Sequence, residues 1–262
     1  MPFTASHAVL ALPFIRTPLL PAAIAVGAMA PDLPLFLRGT PLNYDLTHTN
    51  IAVSATLALA LLVLWYALLR PAVRGLSPHW LAARLPAEWD RMPPLPRRAR
   101  RWVWLAVSLV LGVISHVAWD AFTHDGRGGV RLVPALDRPW GPLTGYKWLQ
   151  HGSSALGLLV LATFAAVWLA RRRPVAAVTG VLPTWLRWAG WLALAPILVT
   201  AWAIGFAAHG PFTAGYTPQH LAYQALPPAC AVWAAVMVAL CVVDRVVRVR
   251  AHDRAPAGQN AP

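Results

Sequence analysis

The chain has 262 residues, 58% of them hydrophobic and only 12% charged, with a mean hydropathy of +0.54 and a formal net charge of +13. A soluble domain of this length does not carry so apolar a composition, so the chain reads as an integral membrane protein. Its excess of arginine does not mark a nucleic-acid-binding protein, because the positive residues fall in loops on one side of the predicted spans, where they act as topology signals.

In chain order, residues 8–31 are apolar but interrupted by Pro13, Arg16, Pro18 and Pro21, each awkward inside a straight spanning helix. Two short helices, roughly 4–14 and 19–29, fit better. They form a re-entrant hairpin that brings His7 and Asp32 to the same side. A single kinked span is the alternative. Arg16 either snorkels or, if it faces outward near a site, holds a phosphate.

Apolar runs at 50–69, 102–122, 152–170, 186–207 and 226–247 are each long enough to cross the hydrocarbon. The predicted fold is therefore all-α: a polytopic helical bundle of five spans plus the N-terminal hairpin, or six spans in the kinked alternative. Residues 71–101, rich in proline and arginine, read as a linker with a short surface helix near 78–85. The expected organisation is a helical membrane core over 1–170, a C-terminal helix pair over 171–250 and a disordered tail over 251–262. Cys230 and Cys241 share the last span about 16 Å apart at helical rise, too far for a disulfide. The opening residues lack a basic segment followed by a clean apolar run, so no cleaved signal peptide is expected.

Sixteen arginines lie on one side of the spans: Arg70, Arg74, Arg84, Arg91, Arg97, Arg98, Arg100 and Arg101, then Arg171, Arg172, Arg173 and Arg187, then Arg245, Arg248, Arg250 and Arg254. The opposite loops carry four basic residues, Arg127, Arg131, Arg138 and Lys147. The arginine-rich side is thus expected to be cytoplasmic, with the C-terminus inside and the N-terminus outside. Tryptophans near the span ends, such as Trp102, Trp104, Trp185 and Trp188, suit the headgroup level.

Three metal-ligand-type side chains close the run that begins at Trp102. His116, Asp120 and His124 recur at i, i+4, i+8 and share one helix face for as long as the helix lasts. The charge-derived topology collects Asp32, Asp45, His48 and His151 in the same outer layer. Imidazole with carboxylate is a ligand mix for zinc, iron or manganese, and such an ion acidifies water and polarises phosphoryl or carbonyl oxygens. Asp32, His48, His116, Asp120 and His124 are the candidate ligands of a divalent ion, zinc foremost, with His7 or His151 as a further ligand or catalytic base. The duller reading makes His116 and Asp120 a hydrogen-bonded packing pair, Asp32 and His48 caps, and His151 a helix anchor.

The opening Met1-Pro2-Phe3-Thr4-Ala5-Ser6-His7, then Met29-Ala30-Pro31-Asp32, Thr47-His48, Ser115-His116-Val117-Ala118-Trp119-Asp120-Ala121-Phe122-Thr123-His124 and Lys147-Trp148-Leu149-Gln150-His151-Gly152-Ser153-Ser154 together resemble the bacterial membrane proteins grouped as domain of unknown function 4184. The resemblance covers about residues 1–165 and implies membership without an activity. More distantly, the order of motifs is similar to that of membrane-bound metal-dependent hydrolases, where it resembles a metal centre. There the pattern reads Pro-Asp-x-Asp and Thr-His-Ser; here Pro34 and Thr49 replace the last residue of each, so one ligand is missing or supplied by Asp45.

Three functions compete. The first is a metal-dependent hydrolase at the outer face of a bacterial inner membrane, acting on a phosphoester or lipid-linked substrate. The second is a non-catalytic membrane protein with a structural His/Asp cluster. The third is a transporter-like protein, since broken helices beside intramembrane ionisable groups also bind substrates. Membrane lipid is the expected partner and nucleic acid is not.

Overall fold

The computed structural model describes residues 4–94, 97–175 and 182–253, with the side chains of 251–253 left aside. It is helical apart from one two-stranded hairpin, β1 (Pro139–Trp140) against β2 (Leu143–Thr144). Among the described residues, five helices are long and apolar enough to cross a membrane: α3 (Ile51–Leu76), α4 (Ala99–Thr123), α5 (Gly145–Ala170), α6 (Thr184–His209) and α7 (Pro218–Asp253, of which Pro218–Arg250 qualifies). Before them come an N-terminal 3-10 helix (Thr4–Phe14), α1 (Pro21–Met29) and the short α2 (Tyr44–Thr49). The prolines thus divide the N-terminal apolar stretch into two short helices. The turn between them is held by Thr17, whose hydroxyl donates to the Phe14 carbonyl (2.9 Å) and accepts from the Leu19 N–H (3.3 Å).

The described residues fall into two compact units, one drawn from the ranges 1–63 and 94–171 and the other from 64–93 and 172–253. In the first, α1 lies against α4 at a glycine crossing. A Cβ on Gly27 would meet the Leu109 carbonyl oxygen at 2.5 Å, and one on Gly112 would meet the Ala28 nitrogen at 2.8 Å. Without a hydrophobic drive between helices in lipid, such close backbone approach supplies the packing. Ala23, Ile24 and Ala28 of α1 are fully buried there, beside Val113 of α4. Ser108 of α4 accepts from the Leu20 N–H (2.9 Å), satisfying a donor at the start of α1 that has no helical partner. The 3-10 helix is fixed on α5 in the same way: a Cβ on Gly157 would stand 3.1 Å from Ser6.

In the second unit, α3 continues to Leu76, into the stretch the sequence reads as linker. The reason is a π-helical turn over Trp65–Leu69, in which the Arg70 N–H reaches the Trp65 carbonyl. Widening the helix just before Pro71 makes room for a ring that would clash in a regular α-helix. The expected surface helix near 78–85 is present as the single turn His79–Ala82. Helix α7 begins at Pro218, earlier than the apolar run suggests, and carries Pro227 and Pro228 inside it. It also runs on to Asp253, so the first residues of the expected disordered tail are helical, while 254–262 lie outside the described residues, as do Met1, Pro2 and Phe3.

Gly112→Val is expected to destabilise the first unit by about 1–3 kcal/mol through overpacking against α1. Gly152→Ala, at a position with nothing within 4 Å, should be neutral. Thermal unfolding of the two purified variants in one detergent checks the contrast, and equal melting temperatures would contradict the glycine crossing.

Candidate metal centre

Three elements of the first unit deliver the four ligand-type side chains. His116 and Asp120 stand one turn apart near the end of α4, with Nε2 3.5 Å from Oδ2. Asp32 closes the 3-10 turn Ala30–Asp32 that follows α1 and is fully buried. His48 comes from α2, a six-residue helix started by the Asn43 side chain, which accepts from the Leu46 N–H (2.8 Å). The Thr47 hydroxyl donates to the Pro31 carbonyl (2.7 Å) and so ties α2 to the turn that carries Asp32.

Asp32, His48, His116 and Asp120, all buried, each place one ligand-type atom within 4.8 Å of the others. His116 Nε2 lies 3.6 Å from Asp32 Oδ1 and 3.3 Å from His48 Nε2, and His48 Nε2 lies 3.4 Å from Asp120 Oδ2. Ligands about 2.1 Å from a tetrahedral ion stand roughly 3.4 Å apart, so the separations of 3.3 to 3.6 Å match edges of such a shell.

The proton positions sharpen this fit. His116 Nδ1 is 2.7 Å from the Ala28 carbonyl and His48 Nδ1 is 2.9 Å from the Tyr44 carbonyl. A carbonyl only accepts, so both Nδ1 atoms carry the proton, and in the neutral rings both Nε2 atoms present lone pairs. Two lone pairs that face each other at 3.3 Å repel unless a cation stands between them. Asp32 Oδ1 and Asp120 Oδ1, both buried, have no hydrogen-bond partner either. Buried polar atoms are normally satisfied, and this donor set is what a divalent ion would satisfy.

The surrounding residues orient the quartet. The Thr4 hydroxyl donates to Asp32 Oδ2 (2.7 Å), leaving Oδ1 towards His116. The Tyr44 hydroxyl donates to Asp120 Oδ2 (3.0 Å) while its ring stacks on His48 at 3.6 Å. Burial, then the Asp120 charge, pushes the Tyr44 phenol above its ordinary pKa, so it keeps its proton and remains a donor. The sequence reading missed Tyr44 and looked to its neighbour Asp45. Tyr44 is i−4 from His48, a spacing that could have found it, whereas Asp45 is exposed.

The remaining candidates divide. His7, on the 3-10 helix, is buried with its ring 4.2 Å from that of His116, and its unpartnered Nε2 lies 4.0 Å from Asp120 Oδ1. His124 falls just past the end of α4, where the backbone turns extended. It therefore leaves the shared helix face and stands outside the quartet, with Nδ1 3.1 Å from the Asp120 carbonyl and 3.6 Å from Oδ2. Its Nε2 faces the Gln150 amide at 3.5 Å. Burial lowers the His124 pKa, and the Asp120 charge opposes that shift. His151 is exposed on α5, which turns its buried neighbour Gln150 towards His124 instead.

A family model described as "Domain of unknown function (DUF4184)" matches residues 1–253, so the similarity extends through α6 and α7 and well past residue 165. No curated protein and no solved structure matches the chain.

Tyr44→Phe removes the hydroxyl that orients Asp120 and is expected to weaken any binding of an added divalent metal ion about tenfold, as loss of an orienting partner does in metal sites. Asp45→Ala should leave affinity unchanged. Titration against a chromophoric chelator measures both, and equal affinities in the two variants would remove Tyr44 from the support of the centre.

Proposed function

This chain belongs to the DUF4184 family, and from that premise we propose that it is a membrane-embedded metal-dependent hydrolase acting on a phosphoester or lipid-linked substrate at the outer face of a bacterial inner membrane. The observation that carries the reading is the pair of buried imidazole Nε2 atoms 3.3 Å apart, with the unpartnered Asp32 Oδ1 3.6 Å from one of them. With both rings neutral, the four residues hold no hydrogen that could pair these atoms, and a divalent cation is the group that would satisfy them.

Asp32, His48, His116 and Asp120 would hold the ion, with zinc first by donor type. The chemistry such an ion supplies when bound is the acidification of water and the polarisation of a phosphoryl or carbonyl oxygen. The chain's own residues do the rest. Tyr44 and Thr4 fix the two carboxylates through their hydroxyls. His7 presents a bare ring nitrogen beside Asp120 and is the group placed to accept a proton. Among the groups around the centre, Tyr44, His124 and Arg127 are only half-buried and make up its accessible side. The Arg127 guanidinium lies 5.4 Å from the centre of the Tyr44 ring, where it can receive an anionic substrate group.

Wild-type protein is expected to purify with about one equivalent of metal. His116→Ala and Asp120→Ala should each abolish it, together with hydrolysis of a model phosphoester, without changing the elution profile. Chelation should remove activity and added metal restore it. If the pair only packs helices, each variant instead costs about 0.6 kcal/mol of bundle stability. Metal-free wild type, or full metal content in both folded variants, contradicts the reading.

The arginine count supports a cytoplasmic C-terminus and, with a hairpin start followed by five spans, an external N-terminus. A reporter fused after Arg250 should behave as cytoplasmic and one fused before Met1 as external. Two cytoplasmic reporters would mean that the N-terminal helices cross the membrane as a sixth span.

A further inference from the structure

Arg187 enters the charge count as a topology signal, yet it is only 9% exposed. It sits in the first helical turn of α6, inside the second unit. Among the described residues no carboxylate lies within ion-pair distance of it. The two carboxylates paired in this unit are taken: Asp90 by Arg74, and Asp244 by both Nε (2.6 Å) and one terminal nitrogen (3.1 Å) of Arg248. What Arg187 has instead is weak. One terminal nitrogen donates to the Gly75 and Ser77 carbonyls at 3.4 and 3.5 Å, beyond the range of good N–H···O bonds, and the other donates to the Thr184 hydroxyl at 3.0 Å. Its Nε–H, fully buried, has no partner. A guanidinium does not lose its proton, so this is a buried cation without a counter-charge, an arrangement that is costly unless an anion completes it.

Beside it is a cavity of about 350 Å³. Its lining includes Arg187, Ser77, His79, Trp80, Trp188 and Trp191. Ser77 is 1% exposed, and its hydroxyl is a second buried polar atom with no partner. Arg187 and Ser77 both line the cavity and each carries an unsatisfied buried donor, one of them permanently charged, so together they ask for an acceptor that is also an anion. The N-terminus of α6, whose first N–H groups receive no side-chain cap, adds positive potential from the same direction. The three indoles make the rest of the wall apolar and amphipathic, which suits a ligand whose anionic group is joined to an apolar body. The cavity lies at the start of an apolar span, where lipid headgroups are found.

We propose that this cavity is a binding site for a phosphate-type oxyanion, carried by an anionic phospholipid headgroup, with the Arg187 Nε–H and the Ser77 hydroxyl as its donors. The site belongs to the second unit and is independent of the His/Asp centre.

Full-length protein in neutral detergent is titrated calorimetrically with short-chain phosphatidylglycerol and, separately, with inorganic phosphate. Saturable one-to-one binding of the lipid is expected, at least tenfold weaker in Arg187→Gln and several-fold weaker in Ser77→Ala. Lipid binding much tighter than phosphate assigns the site to a headgroup, and equal affinity assigns it to a free oxyanion; both uphold the oxyanion chemistry. If Arg187→Gln does not elute as a single species, Ser77→Ala alone decides. Wild-type affinity in the folded variants, or no saturable binding of either probe, overturns the proposal.

Discussion

The hydrogen bonds from two histidine Nδ1 atoms to two backbone carbonyls organise the first unit. The Ala28 carbonyl lies in the last turn of α1, where carbonyls have no intrahelical partner, and it accepts from His116 of α4. The Tyr44 carbonyl, in the first turn of α2, does the same for His48. Each bond joins a ring to a fixed piece of backbone, sets its tautomer and aims the other nitrogen at a common point. The centre is therefore a consequence of where two short helices sit as much as of the ligands themselves.

For that to hold, α1 must approach α4 closely. Gly27 and Gly112 allow it, since either Cβ would strike the opposing backbone. The same approach lets Ser108 cap the start of α1. In a membrane the short N-terminal helices need such partners, because their end groups have no water to turn to. Packing, polar satisfaction and ligand placement are one requirement met by a few small residues.

The second unit solves a different problem. The buried Arg74 and the half-buried Arg248 are matched by carboxylates, while the buried Arg187 is held by carbonyls and a hydroxyl alone. Gly75 sits at the centre of this arrangement: its carbonyl accepts from Arg187, and the missing side chain leaves room for the Arg248 guanidinium and the Asp244 carboxylate. Paired and unpaired guanidinium groups within one small region behave as different chemical objects, though sequence position alone makes them look alike.

Length and hydropathy in the sequence were enough to define five spans and a broken N-terminal pair of helices, because the thickness of a bilayer and the geometry of proline act locally. Helical spacing alone likewise joined His116 to Asp120. Tertiary structure decided the rest. It brought Asp32 and His48 to that pair from far along the chain, chose Tyr44 over Asp45 by the face α2 turns inward, and ended α4 at Thr123 so that His124 stands aside. It also turned Gln150 in and His151 out, and it buried Arg187 where the charge count expects a solvated loop residue. Each of these depends on contacts between segments distant in sequence, and a pattern of residue types carries no information on which carbonyl, hydroxyl or carboxylate will stand opposite a given side chain.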